Sequence, residues 1–185
     1  MKKYIFALLT MTAPFFSAVH AEESLYVGGF GGVNFASVKE PGGVKIAGIK
    51  TGGAGGVCIG YKMDEIRVEG EFAYRTNPFK STSILKSDGS RTTHTVMANV
   101  YYDFNLGTEY TPYVGAGAGY AHNRQVNDMK SGGTFFYTNK FAYQVMGGVH
   151  YKYSDKVLLG VEYKFLSPEK DHQNHTTAVS VKRYF

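Results

Sequence analysis

The sequence predicts an all-β protein: an eight-stranded antiparallel up-and-down transmembrane β-barrel with four long outer loops and short periplasmic turns. Three observations lead there. Apolar and polar residues alternate with period two in eight segments of about ten residues, the length at which a tilted strand crosses a bilayer. The connections between them are alternately long and short, the pattern of a barrel with loops at one end and turns at the other. The rings, 15 Tyr and 13 Phe with no Trp, gather toward the segment ends, where amphipathic rings meet a membrane interface. No helical period follows residue 21.

Composition agrees. A chain of 185 residues favours one domain. With 20 Lys+Arg against 15 Asp+Glu it carries too little charge, and too many rings, for a disordered polymer. Cys58 is its one cysteine, which excludes an intrachain disulfide and a multi-cysteine zinc site.

The chain begins with an address. Met1, Lys2 and Lys3 form a positive start, residues 4–16 are mostly apolar, and Val19, His20 and Ala21 end in the small-x-small pattern of signal peptidase. Cleavage is expected after Ala21, giving a leader over 1–21 and a barrel domain over 22–185. Loss of Lys2 and Lys3 leaves a net charge of +3.

The first strand, 25–34, and the fifth, 111–122, hold so much glycine that their faces cannot be told apart. In the second, Val57, Ile59, Tyr61 and Met63 oppose Cys58, Gly60 and Lys62. The third is the clearest: Ile66, Val68, Gly70, Phe72 and Tyr74 oppose Arg67, Glu69, Glu71, Ala73 and Arg75. In the fourth, Val96, Ala98, Val100, Tyr102 and Phe104 oppose Met97, Asn99, Tyr101 and Asp103. In the sixth, 141–152, the polar face bears Gln144, His150 and Lys152. The seventh, 157–165, opposes Val161 and Tyr163 to Glu162 and Lys164. The eighth, 176–185, alternates weakly. Two girdles result. Tyr26, Tyr61, Tyr102, Phe104, Tyr113, Tyr151, Tyr153 and Phe185 are expected at the periplasmic rim. Phe35, Phe72, Tyr74, Tyr120, Phe141, Tyr143 and Phe165 are expected at the outer one.

An eight-stranded barrel is narrow enough to be filled by its own side chains. The expected lumen charge network is therefore Lys62, Arg67, Glu69, Glu71, Arg75, Asp103, Lys152, Glu162 and Lys164, interlocked because buried charges must pair. A charge-lined water channel is the alternative. Tyr101, Gln144 and His150 are expected in the same core, His150 as a hydrogen-bonded residue.

The expected loops, 36–51, 76–91, 123–139 and 167–174, concentrate basic residues: Lys39, Lys45 and Lys50; Lys80, Lys86 and Arg91; Arg124, Lys130 and the adjoining Lys140; and Lys170. Such a surface suits lipopolysaccharide phosphates or sulfated host glycans, unless these are ordinary solvated lysines. His172 and His175 raise haem or metal binding as a further alternative, without a Cys or carboxylate frame. Enzyme motifs are missing. There is no Gly-x-Ser-x-Gly elbow, and the glycines at 52–56 precede no helix and no Lys-Ser/Thr, so they cradle no phosphate. No metal, cofactor or nucleic acid is expected.

Residues 68–75, 97–104, 111–121, 141–144 and 160–165, with the terminal Phe185, resemble the opacity-type surface antigens and OmpA/OmpX-like eight-stranded outer-membrane barrels. The resemblance covers nearly all of the mature chain. It implies a Gram-negative outer-membrane location with both termini periplasmic. It also implies that the last strand, with Val179, Val181 and Phe185, is read by the barrel assembly machinery, although Arg183 stands where a lipid-facing aromatic is usual. The family's activities range over adhesion, immune evasion, weak porin activity and haem binding. The expectation is a monomeric, non-enzymatic surface protein displaying basic loops for adhesion, surface recognition or envelope integrity. A narrow porin is the second reading, and haem or small-ligand binding at the loops the third. The expected partners are outer-membrane lipid and lipopolysaccharide, the assembly machinery, and host surface glycans or proteins.

Overall fold

The computed structural model describes residues 24–38, 51–79, 89–127, 134–169 and 172–185; the expected leader lies outside them. Eight strands follow in order: β1 (Ser24–Val38), β2 (Gly52–Met63), β3 (Ile66–Phe79), β4 (Gly89–Asp103), β5 (Tyr110–Asn127), β6 (Thr134–Ser154), β7 (Val157–Glu169) and β8 (His172–Tyr184). Each pairs antiparallel with the next, and β8 returns to β1 to close the barrel. Closure pairs both edges of the sheet, the condition for placing strands in lipid.

Three connections are tight and lie at one end. Between β2 and β3, Asp64 takes a left-handed conformation (φ 52°), which an Asp tolerates better than most residues. Between β4 and β5, Gly107 does the same (φ 67°), and its N–H donates to Asn105 Oδ1 at 3.0 Å. Ser154 and Val157 pair around the third turn.

The other end differs from expectation. β3 continues to Phe79, β4 starts at Gly89, β5 runs to Asn127 and β6 starts at Thr134. Arg91, Arg124 and Lys140 therefore lie on strands, not in loops. These extensions are rich in Thr, Asn, Gln and Tyr. Once a strand leaves the apolar zone neither face needs to be apolar, so the alternation fades while the backbone ladder continues.

The wall is inverted relative to a soluble barrel. On β7, Val161 is 60% exposed and its neighbour Glu162 4%. Val57, Val96, Val145 and Val179 are likewise exposed outside, while Asn99, Gln144 and Thr176 are buried within. Two girdle assignments are corrected. Tyr26 and Tyr113 are buried in the lumen, because each hydroxyl has an acid to donate to there. The glycine-rich β1 and β5 had hidden their facing. Glycines also make room: a Cβ at Gly60 on β2 would collide with the Tyr26 ring, and one at Gly115 on β5 with the Tyr101 ring.

Candidate functional site

Strand β3 sets the interior. Its inward positions carry Arg67, Glu69, Glu71, Ala73, Arg75 and Asn77, all buried. Successive members are about 7 Å apart along the strand, so each meets a different layer of the lumen.

Nearest the turns, Arg67 Nε donates to both oxygens of Asp103, at 2.9 and 2.8 Å. Its guanidinium lies over the rings of Tyr101 (4.6 Å) and Tyr113 (5.0 Å). In the next layer, Glu69 pairs with Lys182 and accepts from Tyr26 OH at 3.0 Å and Tyr101 OH at 3.1 Å. Above it, Lys164 Nζ donates to Glu71 Oε2 at 2.6 Å. The same ammonium lies 3.3 Å from Glu162 Oε1 and 3.8 Å from the centre of the Phe30 ring. Tyr113 OH donates to Glu162 Oε2 at 2.9 Å, and Gln144 Nε2 donates to Asn99 Oδ1 at 2.7 Å.

Met97, Ala121, Ala142 and Leu166 form an apolar cluster in the same interior. Toward the open end, Arg75 stands 3.9 Å from Glu71 and donates to Thr95 Oγ1 at 3.0 Å. Thr176 Oγ1 donates to Asn34 Oδ1 at 2.8 Å, and Asn34 Nδ2 to Asn77 Oδ1 at 2.6 Å.

Two features decide what this interior does. First, Glu71 with Lys164 joins β3 to β7, and Glu69 with Lys182 joins β3 to β8. These strands are not neighbours, so the pairs cross the lumen and obstruct it. Second, the buried charges balance among the described residues: Arg67, Arg75, Lys164 and Lys182 against Glu69, Glu71, Asp103 and Glu162. The cavity left among Cys58, Glu69, Glu162, Lys164, Ser180 and Lys182 is about 10 Å³, room for about one water. From the turn end a bowl of about 560 Å³, lined by Lys62, Asp64, Glu65, Lys152 and Asp155, reaches in as far as Asp103.

Seven of the nine charges expected in the lumen meet there. Lys62 is half-buried and lines the bowl. Lys152 stands outside the network: its side chain is 55% exposed and pairs with Asp155 at 2.8 Å. Its parity holds, since it pairs with Leu158, but the register shifts directly after it, between Lys152 and Ser154, and the side chain opens into the bowl at the mouth of the lumen. The Lys152 ammonium holds the Asp155 carboxyl below the usual carboxylate range. His150 is buried but without a hydrogen-bond partner; it stacks on Tyr113 at 4.4 Å.

Lys182 was missed by the sequence reading, yet a signal was there. Val179 and Val181 face outward, and the residue next to them must face in. No comparable signal marked Tyr26 or Tyr113.

Lys39, Lys45, Lys50, Lys80, Lys86, Lys130 and Lys170 lie outside the described residues. Arg91 and Lys140 are half-buried and Arg124 is exposed. Val179, Val181 and Phe185 face outward, and the Phe185 N–H donates to the Leu25 carbonyl at 3.1 Å. Arg183 lies 5.9 Å from the centre of the Phe185 ring. His172 opens β8; His175 Nδ1 lies 2.5 Å from Tyr163 OH. No group of three or more His, Cys, Asp or Glu suited to a metal occurs among the described residues.

An apolar outer wall, aromatic rims and a filled, charge-balanced interior define an integral outer-membrane β-barrel. Residues 5–185 match the outer membrane protein beta-barrel domain, and the chain belongs to that family. A stretch of 82 residues, 41% of this chain, is 33% identical to outer membrane protein PagN of Salmonella typhimurium. The match covers 34% of PagN, so the chain spans about a third of that relative's length. Neisserial surface protein A has a similar structure, with a TM-score of 0.65 at 19% identity over 87% of this chain and 97% of its own. Ail, the attachment invasion locus protein of Yersinia pestis, solved with the heparin analogue sucrose octasulfate, gives 0.58 at 19% identity over 90% and 100%. These two likenesses show the fold.

Proposed function

We propose that this chain is a non-enzymatic, monomeric surface barrel whose lumen is sealed and whose loops bind sulfated or phosphorylated polyanions, in adhesion or surface recognition. The observation that carries the reading is the pair of ion bridges across the lumen, Glu71 with Lys164 and Glu69 with Lys182. A filled interior leaves the connections at the loop end as the place for recognition. Those at 39–51, 80–88, 128–133 and 170–171 hold seven basic residues against four acidic. The heparin analogue carried by Ail supports a polyanion as the ligand class.

The orientation proposed with it puts both termini and the short turns in the periplasm and the loop end outside. The leader is removed after Ala21, and the outward Val179, Val181 and Phe185 present the last strand to the assembly machinery. The test is retention of the refolded barrel on immobilised heparin. The native chain is expected to be held at low salt and released as salt rises. A variant with Lys39, Lys45, Lys50, Lys80, Lys86 and Lys130 replaced by Gln is expected to flow through. Equal retention of the two overturns the loop assignment. Planar-bilayer conductance tests the second reading, a narrow porin: silence is expected, and steady single-channel steps would replace display with transport.

A further inference from the structure

The outer wall carries a groove of about 660 Å³ that crosses from β5 to β1 by way of β6, β7 and β8. Two rows of outward side chains bound it. Tyr110, Tyr151, Leu159, Val181 and Gly29 are successive partners across those five strands. Val149, Val161, Val179 and Gly31 form a parallel row two residues nearer the loop end. Between the rows the floor is the main chain of Gly160, Ser180 and Phe30, because the inward parity of these positions leaves only backbone on the outside.

The groove climbs as it crosses the wall. Tyr110 is the first residue of β5, whereas Gly29 stands five residues past the start of β1. Five residues span roughly 17 Å of strand, or about 13 Å along the membrane normal at a tilt of ~40°. One end therefore opens at the turn-end rim. The other reaches toward mid-depth, close to the ~15 Å of hydrocarbon that one leaflet contributes. Glycine clears this inner end. A Cβ on inward Gly32 would strike the main chain of Thr177, so the fold itself calls for that glycine. A Cβ on outward Gly31 would meet nothing within 4 Å, so the packing of the barrel does not call for this one.

The mouth at the rim is acidic. The rings of Tyr110 and Tyr151 lie 5.3 Å apart between centroids, at the level where tyrosines meet headgroups. The Tyr151 hydroxyl donates to the exposed Glu109 carboxylate. The Lys152 N–H donates to the Glu109 carbonyl at 2.9 Å, but the Lys152 ammonium turns to Asp155. That lysine therefore leaves the Glu109 charge uncompensated.

We propose that this groove holds one acyl chain of a phospholipid with a primary ammonium headgroup, and that Glu109 receives the ammonium. The groove is continuous with the lipid-facing wall, so its occupant comes from the bilayer. Its apolar rows suit a hydrocarbon chain, and bare Gly29 and Gly31 let that chain lie in van der Waals contact with the backbone. The carboxylate at the mouth selects among headgroups. A primary ammonium pairs with it through a charge-assisted N–H bond. A trimethylammonium has no N–H to give, and an anionic headgroup is repelled. Neither the sealed lumen nor the loops enter into this site, and it stands whichever face of the membrane the turns meet. With the turns in the periplasm, the lipid belongs to the periplasmic leaflet.

The test is methyl NMR of the full mature barrel in phosphatidylcholine bilayers that hold a trace of lipid with a nitroxide on one acyl chain. Labelled phosphatidylethanolamine is expected to broaden the Val161 and Val179 signals several-fold more than equally labelled phosphatidylcholine. Val68 and Val100, which line a second outer groove of about 490 Å³ on β1–β4, are expected to respond alike to both. Equal broadening by the two lipids at Val161 and Val179 overturns the proposal, as does a preference shared by Val68 and Val100. This comparison needs no variant. Glu109→Gln is expected to abolish the preference, and a preference that survives it overturns the headgroup contact. Gly31→Val fills the inner end of the groove where nothing obstructs a side chain, and is expected to reduce the phosphatidylethanolamine effect to that of phosphatidylcholine. Gly53→Val, at an equally open glycine outside the groove, is expected to behave as the native chain. Identical behaviour of the two glycine variants overturns the acyl seat.

Discussion

Replacing Glu71 with Ala tests the sealed interior most directly. The carboxylate is 2% exposed. It accepts from Lys164 at 2.6 Å and lies 3.9 Å from Arg75. Its loss turns a balanced interior into one with an excess cation. Lys164, itself 2% exposed, would keep Glu162 at 3.3 Å, and Arg75 would keep the hydroxyls of Thr95 and Thr176. Breaking a buried pair by removing one partner costs about 3–5 kcal/mol. The remaining contact with Glu162 offsets part of that, so a loss of about 3 kcal/mol is expected, at the lower end of the range.

The double variant Glu71→Ala/Lys164→Met supplies the control. Removing both charges is far less costly than stranding one, so it is expected to recover most of the loss, a coupling of about 2 kcal/mol or more. Urea unfolding in detergent micelles, followed by heat-modifiable gel migration, gives the midpoints. Bilayer conductance on the same proteins reports whether the single variant leaks. A loss below about 1 kcal/mol, with no recovery in the double variant, would mean that water already solvates these groups. The reasoning from cross-lumen pairing would then fail.

Other expectations follow from the same geometry. Val161→Arg puts a cation on the outer wall where the valine is 60% exposed; near the midplane this costs about 2–4 kcal/mol, and undiminished insertion into vesicles would contradict the assigned facing. Lys182→Met leaves Glu69 with the Tyr26 and Tyr101 hydroxyls but no lysine at its carboxylate, and a fall in unfolding midpoint is expected that Lys182→Met/Glu69→Gln largely restores; equal midpoints for the single and double variants would deny the pair. An epitope placed beside Asp88 or Lys130 is expected to be labelled on intact cells, and labelling only after the outer membrane is permeabilised would invert the orientation. Asp155 has a depressed carboxyl value, so its pairing with Lys152 contributes above the unfolded carboxylate value and is lost as pH falls through the folded one; because both side chains are exposed, Asp155→Asn is expected to leave the midpoint almost unchanged at pH 7, and a large drop would show a structural role for that turn.

The parts of this fold that were legible in the sequence are those where one face must be apolar. β3 shows this best. Lipid dictates Ile66, Val68 and Phe72, the interior dictates Arg67, Glu69, Glu71 and Arg75, and nothing else satisfies both at period two. Legibility fails in two places for two physical reasons. In β1 and β5 inward Gly28, Gly32, Gly115, Gly117 and Gly119 leave room for atoms of other strands, the Tyr101 ring among them at Gly115, so hydropathy carries no parity and Tyr26 and Tyr113 read as rim aromatics. Beyond the membrane, at 89–95 and 123–127, neither side of the wall demands an apolar residue, so strands carrying Arg91 and Arg124 read as loops. Lys152 errs in the opposite sense: its parity was right, but the register shift beside it releases it to solvent.

The order of charges on β3 also bears on how the barrel finds its register. Two cations, Arg67 and Arg75, bracket two anions, Glu69 and Glu71. The bracketed acids receive lysines from β7 and β8, while Arg67 receives Asp103 from the adjacent β4. A slip of one residue in β3 would turn all four charges toward lipid, where charge is disfavoured most at mid-depth and least near the interfaces. It would also leave Lys182 and Asp103 inside without their β3 partners and Lys164 with Glu162 alone. A slip of two keeps the facing but brings like charges together: in one direction Arg67 takes the layer of Lys182, and in the other Glu69 takes the layer of Asp103. The interior thus discriminates against both nearest misregistered barrels, by solvation in one case and by like-charge contact in the other. Hydrophobic alternation provides only the first of these. Eight charges buried and paired in the lumen are on this view a register lock, one that also fixes where each strand ends.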